Sequence, residues 1–204
     1  MPKPSLQDIH PLLQERLLAL AHAHREKFPW KTLVMIWGLR NAAEQLRAFK
    51  AGHTKLDGTH KVSVHQYGLA ADIWVYLGAS PNTPELLLGS PPRGGRLQLQ
   101  LRAPAFTAHY KPMASLAAQH GLDSGVAYGD GPHLELPRHE RIAILQSLLV
   151  NNGFKPGKID GILGPRTSAA IDAAAKQSKV ARGGNYSMPL GPPLWLKLHN
   201  QVAQ

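Results

Sequence analysis

The chain is expected to be an α+β protein: helices packed on a small antiparallel sheet, followed by a small all-α domain. Three features of its 204 residues predict this. Apolar residues recur at helical spacing in Leu12, Leu13, Leu17, Leu20 and Ala21. They alternate with a period of two in Ala70–Tyr76 and again around Leu134 and Leu136. After Pro137 the chain reads as two helices joined by a glycine-rich loop, then a last short helix with Trp195, Leu198 and Val202 on one stripe.

Taken in order, Leu6–Lys27 is expected to be helical and Thr32–Trp37 a short apolar strand. Ala42–Gly52 reads as a helix stopped at its glycine. Residues 53–62 are a polar loop. The strand from Ala70 puts Asp72, Trp74 and Tyr76 on one face and Ile73, Val75 and Leu77 on the other. Residues 78–103 are rich in Gly, Pro and Arg and read as a long loop with room for one short element. Phe106–His120 is a helix ending at Gly121, and a second short strand carries His133 and ends at Pro137. Pro137-Arg138-His139 is the expected boundary between a first domain, residues 1–138, and a second, residues 139–204.

Composition narrows the classes. With 43% hydrophobic residues the chain can bury a core. It has no cysteine, so neither a disulfide framework nor thiol ligation of a metal is available. Met1-Pro-Lys-Pro-Ser leads into a mixed helix rather than an apolar signal core, and no apolar run approaches the length of a membrane span. The net charge is +10. Residues 139–204 carry 8 Lys/Arg against 3 Asp/Glu, and residues 1–138 carry 15 against 10, so the later part is the more densely basic. Such surfaces suit polyanions. No nucleic-acid module is visible and aromatics do not interleave with the basic residues, so nucleic acid is not the expected partner.

The chemistry is concentrated in Ser63-Val-His65-Gln-Tyr67-Gly68-Leu-Ala70-Ala-Asp72 and in Asp130-Gly-Pro-His133. Together they offer two imidazoles, a carboxylate and a second carboxylate close by. A hydrolytic zinc site needs three protein ligands, an open position for water and a general base. His65 and Asp72 are seven residues apart, which on one strand would place them on opposite faces. The chain must therefore bend between them, and Gly68 can supply the bend. Asp130 lies in a turn built by Gly129, Gly131 and Pro132, where its carboxylate can lean over the site without ligating.

The first segment, S-x-H-x-x-G-x-A-x-D, resembles the VanY-type peptidoglycan metallopeptidases, a family that includes D,D-carboxypeptidases and the L-alanyl-D-glutamate endopeptidases of phage lysins. Asp8-Ile-His10-Pro11-Leu resembles the family's lead into its first helix, and Trp37-Gly38-Leu39-Arg40-Asn-Ala-Ala-Glu44-Gln45 its G-x-R-(S/T)-x-x-x-Q segment. The resemblance implies zinc held by His65, Asp72 and His133, with Asp130 as general base. It implies Arg40 as a contact to the substrate or oxyanion, a role that suits an always-charged, rigid donor fork. Gln45 is expected to be structural support. Ser63 either touches substrate backbone or shapes its turn. Lytic members often carry a tryptophan-rich stretch before the catalytic turn. Here Gly121–Asp130 has no tryptophan, and Tyr128 is expected to supply part of the cleft wall.

Beyond Pro137, Ile144-Leu145-Gln146 through Lys-Ile159-Asp160-Gly161-Ile-Leu-Gly164-Pro165-Arg-Thr167 to Ala170-Ile171 resembles a peptidoglycan-binding domain, with pattern L-Q-x-x-L, then (I/V)-D-G-x-(F/L)-G-x-x-T-x-x-A-(I/V). Where relatives continue with F-Q, this chain has Ala175-Lys176-Gln177, so the packing or groove differs there. These resemblances imply a monomeric, zinc-dependent endolysin that cuts the L-Ala–D-Glu stem-peptide bond. It would be made in the host cytoplasm without a signal peptide, without stable membrane insertion, and act in the wall after holin-type release. The alternatives are a D,D-carboxypeptidase or dipeptidase using the same site, and a non-catalytic wall-binding protein whose zinc only stabilises the fold.

Overall fold

The computed structural model describes residues 4–89, 96–98 and 106–202. The molecule is α+β, as expected. A 3-10 turn at Leu6–Asp8 precedes helix α1, Pro11–Lys27. The expected single helix from Leu6 breaks there because the residue before a proline avoids helical angles; His10 has φ −58° and ψ 138°, and its Nδ1 caps the helix by accepting from Leu12 N–H. Leu13, Leu17, Leu20, Ala21 and His24 form the buried face of α1.

Strand β1, Lys31–Trp37, pairs antiparallel with β2, Ala70–Leu77, in register Lys31↔Leu77 to Met35↔Ile73. The register shifts between Met35 and Trp37, so Trp37 lies opposite Asp72. Three further short strands are β3, Leu86–Leu88, β4, Arg96–Gln98, and β5, Asp123–Ser124; β6, His133–Glu135, completes the set. The order is β3-β1-β2-β6-β5, with β4 also on β2. β1 occupies one edge of β2, so β6 at Ala70–Asp72 and β4 at Val75–Leu77 share the other.

The sheet is mixed, not purely antiparallel as expected, because β3 runs parallel to β1. The cause is the route of the chain. β2 ends beside the start of β1, where Gly78 and Ala79 N–H both donate to Trp30 O at 3.1 Å. A segment crossing from there to the free edge of β1 must then run in the same direction as β1. Arg25 fixes the crossing by donating to the carbonyls of Ser80, Thr83 and Pro84, and the Thr32 hydroxyl bonds Pro84 O and Glu85 O. The expected helix from Phe106 starts as a π turn over Phe106–Tyr110 before becoming α3, Lys111–Gln119. Pro112 has no N–H to give to Ala108, and that carbonyl instead accepts from Lys31 Nζ at 3.5 Å.

The remaining helices are α2, Ala42–Lys50; α4, Arg138–Asn151; α5, Pro165–Ser178; and α6, Pro192–Val202. A reciprocal Asn41–Glu44 capping box starts α2. Gln146, 1% exposed, organises the α4–α5 loop. Its Oε1 accepts from Asp160 and Gly161 N–H, and its Nε2 donates to Asp160, Ile162 O and Thr167. Ile142, Leu145, Leu149, Ile171, Leu194 and Leu198 are completely buried there.

Packing divides the chain into two compact units, but not by one cut at 138/139. One unit joins the chain up to Leu39 with Gly68–Leu136; the other joins Arg40–Tyr67 with the chain from Pro137 onward. Residues 40–67 go with the later helices because specific bonds tie them there. Tyr67 Oη donates to Leu190 O at 2.7 Å, and Asn185 Nδ2 to Val62 O at 2.9 Å.

Candidate metal centre

Asp72 and His133 are direct cross-strand partners on β2 and β6. Residues facing each other across an antiparallel pair have side chains close together, and His133 Nδ1 lies 3.4 Å from Asp72 Oδ1. The ladder is extended by Ile73 N–H to Pro132 O and Leu136 N–H to Leu69 O. His65 comes from a different device, a buried 3-10 turn over Val64–Tyr67. Ser63 shapes that turn: its hydroxyl accepts from His65 N–H and its carbonyl from Gln66 N–H. Gln66 returns the support through its side chain, accepting from Ser63 N–H and donating to Gly58 O. Gly68, at φ +69°, then turns the chain into β2. That backbone angle strains any other residue, and a Cβ there would also lie a tight 3.1 Å from Asp8 O, so both favour glycine.

The outcome is that His65, Asp72 and His133 each present one donor atom, all within 4.8 Å of one another. Among the described residues no other group of three such side chains meets this condition. Tetrahedral ligands at about 2.0–2.2 Å from a common ion lie about 3.3–3.6 Å apart, so the His133–Asp72 distance already suits one. The set is suitable for a divalent metal and does not by itself identify which.

The electrostatics also call for positive charge. Burial lowers the His133 pKa, but hydrogen bonds and charge from Asp72 and Glu135 outweigh it and push it up to about 10. A cation shared with Asp72 can satisfy the same field. Glu135 was not singled out in the sequence as a site residue. Its Oε2 sits 3.2 Å from His133 Nε2, the ring nitrogen opposite the one facing Asp72. A carboxylate on the far nitrogen fixes the tautomer and orientation of a ligating imidazole. The available signal was the i, i+2 spacing in His133-Leu-Glu135, which puts both on one strand face.

Asp130 is exposed on its turn. Its N–H donates to Gly125 O, and its own carbonyl accepts from His133 N–H, so backbone bonds lock it to the ligand strand. Gly125 makes this approach possible: an added Cβ would overlap Asp130 O and lie 3.0 Å from His133 Cβ. Tyr110, another residue the sequence did not single out, is fully buried. Burial first, then the charges of Asp130 and Asp72, hold its phenol up at about 12, so it is within electrostatic reach of both carboxylates. Tyr128 is 67% exposed, with its ring centroid 6.4 Å from that of His133. Arg40 is buried and its N–H donates to His65 O at 3.1 Å. Gln45 is fully buried and donates to Leu56 O, a structural role as expected.

No family model matches the chain, and comparison with curated proteins found no match.

Proposed function

We propose that the chain is a zinc-dependent peptidoglycan peptidase of the lysin type, hydrolysing a stem-peptide bond. The observation that carries this reading is the convergence of His65, Asp72 and His133, with Asp130 backbone-bonded to the same strand end. A site that only stabilised the fold would be closed by a fourth ligand, and among the described residues the ligand group stops at three. The resemblance of the ligand segment favours the L-Ala–D-Glu bond and a lysin that reaches the wall after holin-type release.

In this reading His65, Asp72 and His133 hold zinc. When bound, zinc supplies Lewis-acid polarisation and makes water a stronger acid. Glu135 keeps the His133 ring in place. Asp130, exposed on its turn, takes the proton of the attacking water and returns it to the leaving amine. The guanidinium of Arg40 is assigned to the developing oxyanion. Tyr128 lines the approach beside His133, and Ser63 acts through the His65 turn. The dense positive charge after residue 138 supports attachment to an anionic wall. Among the described residues no helix is long and apolar enough to cross a membrane.

The test is turbidity loss of permeabilised Gram-negative cells with and without chelator. The reading expects lysis that chelation abolishes and zinc restores. Lysis that survives exhaustive chelation contradicts it. Wall binding without any lysis, at full zinc occupancy, would favour the non-catalytic alternative.

A further inference from the structure

His65 is the ligand that no strand carries. Its turn is gripped instead by residues far along the chain. The Tyr67 phenol, 4% exposed, donates to Leu190 O at 2.7 Å. The Tyr67 ring meets Trp195 edge-on, with centroids 5.5 Å apart, and Trp195 is 2% exposed on the buried face of α6. Before the turn, Asn185 Nδ2 donates to Val62 O at 2.9 Å. Asn185 Oδ1 is engaged by the N–H groups of Ser187 and Met188, which fixes the orientation of the amide. The grip therefore falls on residues 62 and 67, on either side of His65.

We propose that the C-terminal segment is a positioning element of the metal centre, in which Trp195, the Leu190 carbonyl and Asn185 hold the turn that presents His65. This rests on the reading of His65, Asp72 and His133 as ligands. The physical reason is preorganisation. A ligand on an unheld turn must be ordered when the ion binds, and that entropy is subtracted from affinity. Losing an outer partner of a metal ligand typically costs about 10–100-fold in affinity. The segment that resembles a wall-binding domain would then serve two purposes, attachment and completion of the ion site.

The experiment is zinc affinity of the full chain, by competition with a chromophoric chelator, for Tyr67→Phe, Asn185→Ala and Trp195→Ala. Leu196→Ala, at an exposed neighbouring position on α6, is the control; circular dichroism checks the fold. Expected are affinities weaker by about 10-fold for Tyr67→Phe and Asn185→Ala and by up to about 100-fold for Trp195→Ala, with Leu196→Ala unchanged. If Tyr67→Phe and Asn185→Ala fold and bind zinc as tightly as the unsubstituted chain, positioning is overturned while the ligand reading stands. If the unsubstituted chain binds no zinc, the ligand reading fails and this proposal with it. Should Trp195→Ala not fold, the two milder variants decide.

Discussion

Two regions bring ligands to one place by different means. Asp72 and His133 are held by a backbone ladder, opposite each other on β2 and β6. His65 sits on a 3-10 turn held by side chains, through Ser63, Gln66 and Tyr67. The ladder is a local, periodic device, and its register follows from alternation in the sequence. The turn depends on bonds to residues more than a hundred positions away. The strand-borne pair should therefore tolerate change in the C-terminal segment, whereas the turn-borne ligand should be sensitive to it.

The largest effect expected is removal of a ladder ligand. His133→Ala should take the protein from about one bound zinc to none by atomic absorption, and abolish lysis, because it deletes a ligand and removes the imidazole that lies between the Asp72 and Glu135 carboxylates. Retained stoichiometric zinc would show that the ladder is not part of the site. Next is Asp130→Asn. It should keep zinc and fold but lose at least about a hundredfold in rate, in the range of general acid–base catalysis. A variant that loses metal while keeping turnover would make Asp130 a ligand.

Gly125→Ala separates backbone fit from side-chain chemistry. The added methyl overlaps Asp130 O, and overpacking of this kind costs about 1–3 kcal/mol. Denaturant unfolding should show that loss together with weaker zinc binding, although no ligand has been altered. An unchanged midpoint and affinity would mean that the turn relaxes freely and does not fix the ligand strand.

The mildest test concerns the sheet unit alone. His24 is 1% exposed on α1, against the ring of Phe28. Burial first, then the charges of Lys31, Arg25 and His109, push its pKa down from 6.5 to about 4. A depressed folded value means that the unfolded chain takes up the proton first. The neutral imidazole's contribution is thus complete above about pH 6.5, lost as pH falls, and gone below about 4. At pH 5.5 the loss is about 1 kcal/mol, since each pH step in that window corresponds to about 1.4 kcal/mol. His24→Phe should flatten the fall in thermal stability between pH 6.5 and 5; an unchanged slope would assign the acid sensitivity elsewhere.

How much of this was legible in the sequence follows the same divide. Alternation located β2 and β6, and Gly68 located the bend that lets His65 and Asp72 converge. The glycine–proline turn located Asp130. The parallel strand β3 was not legible, because the three leucines Leu86–Leu88 have no usable period; its direction is set by where β2 ends. The membership of residues 40–67 was equally hidden. Nothing local to Tyr67 announces that its phenol bonds Leu190, so a single boundary at Pro137 looked sufficient. Tyr110 was out of reach for a related reason: the charges of Asp72 and Asp130 act on its phenol through the way the chain packs, not through spacing.

The most direct test of the central claim is mass spectrometry of purified peptidoglycan digested by the zinc-loaded chain and by the chelated chain. The account predicts fragments with a new N-terminal D-Glu in the zinc-loaded digest only. Release of free D-Ala would redirect the same site to carboxypeptidase chemistry. Wall fragments identical with and without zinc, from protein shown to hold about one ion per chain, would contradict a metal-dependent peptidase.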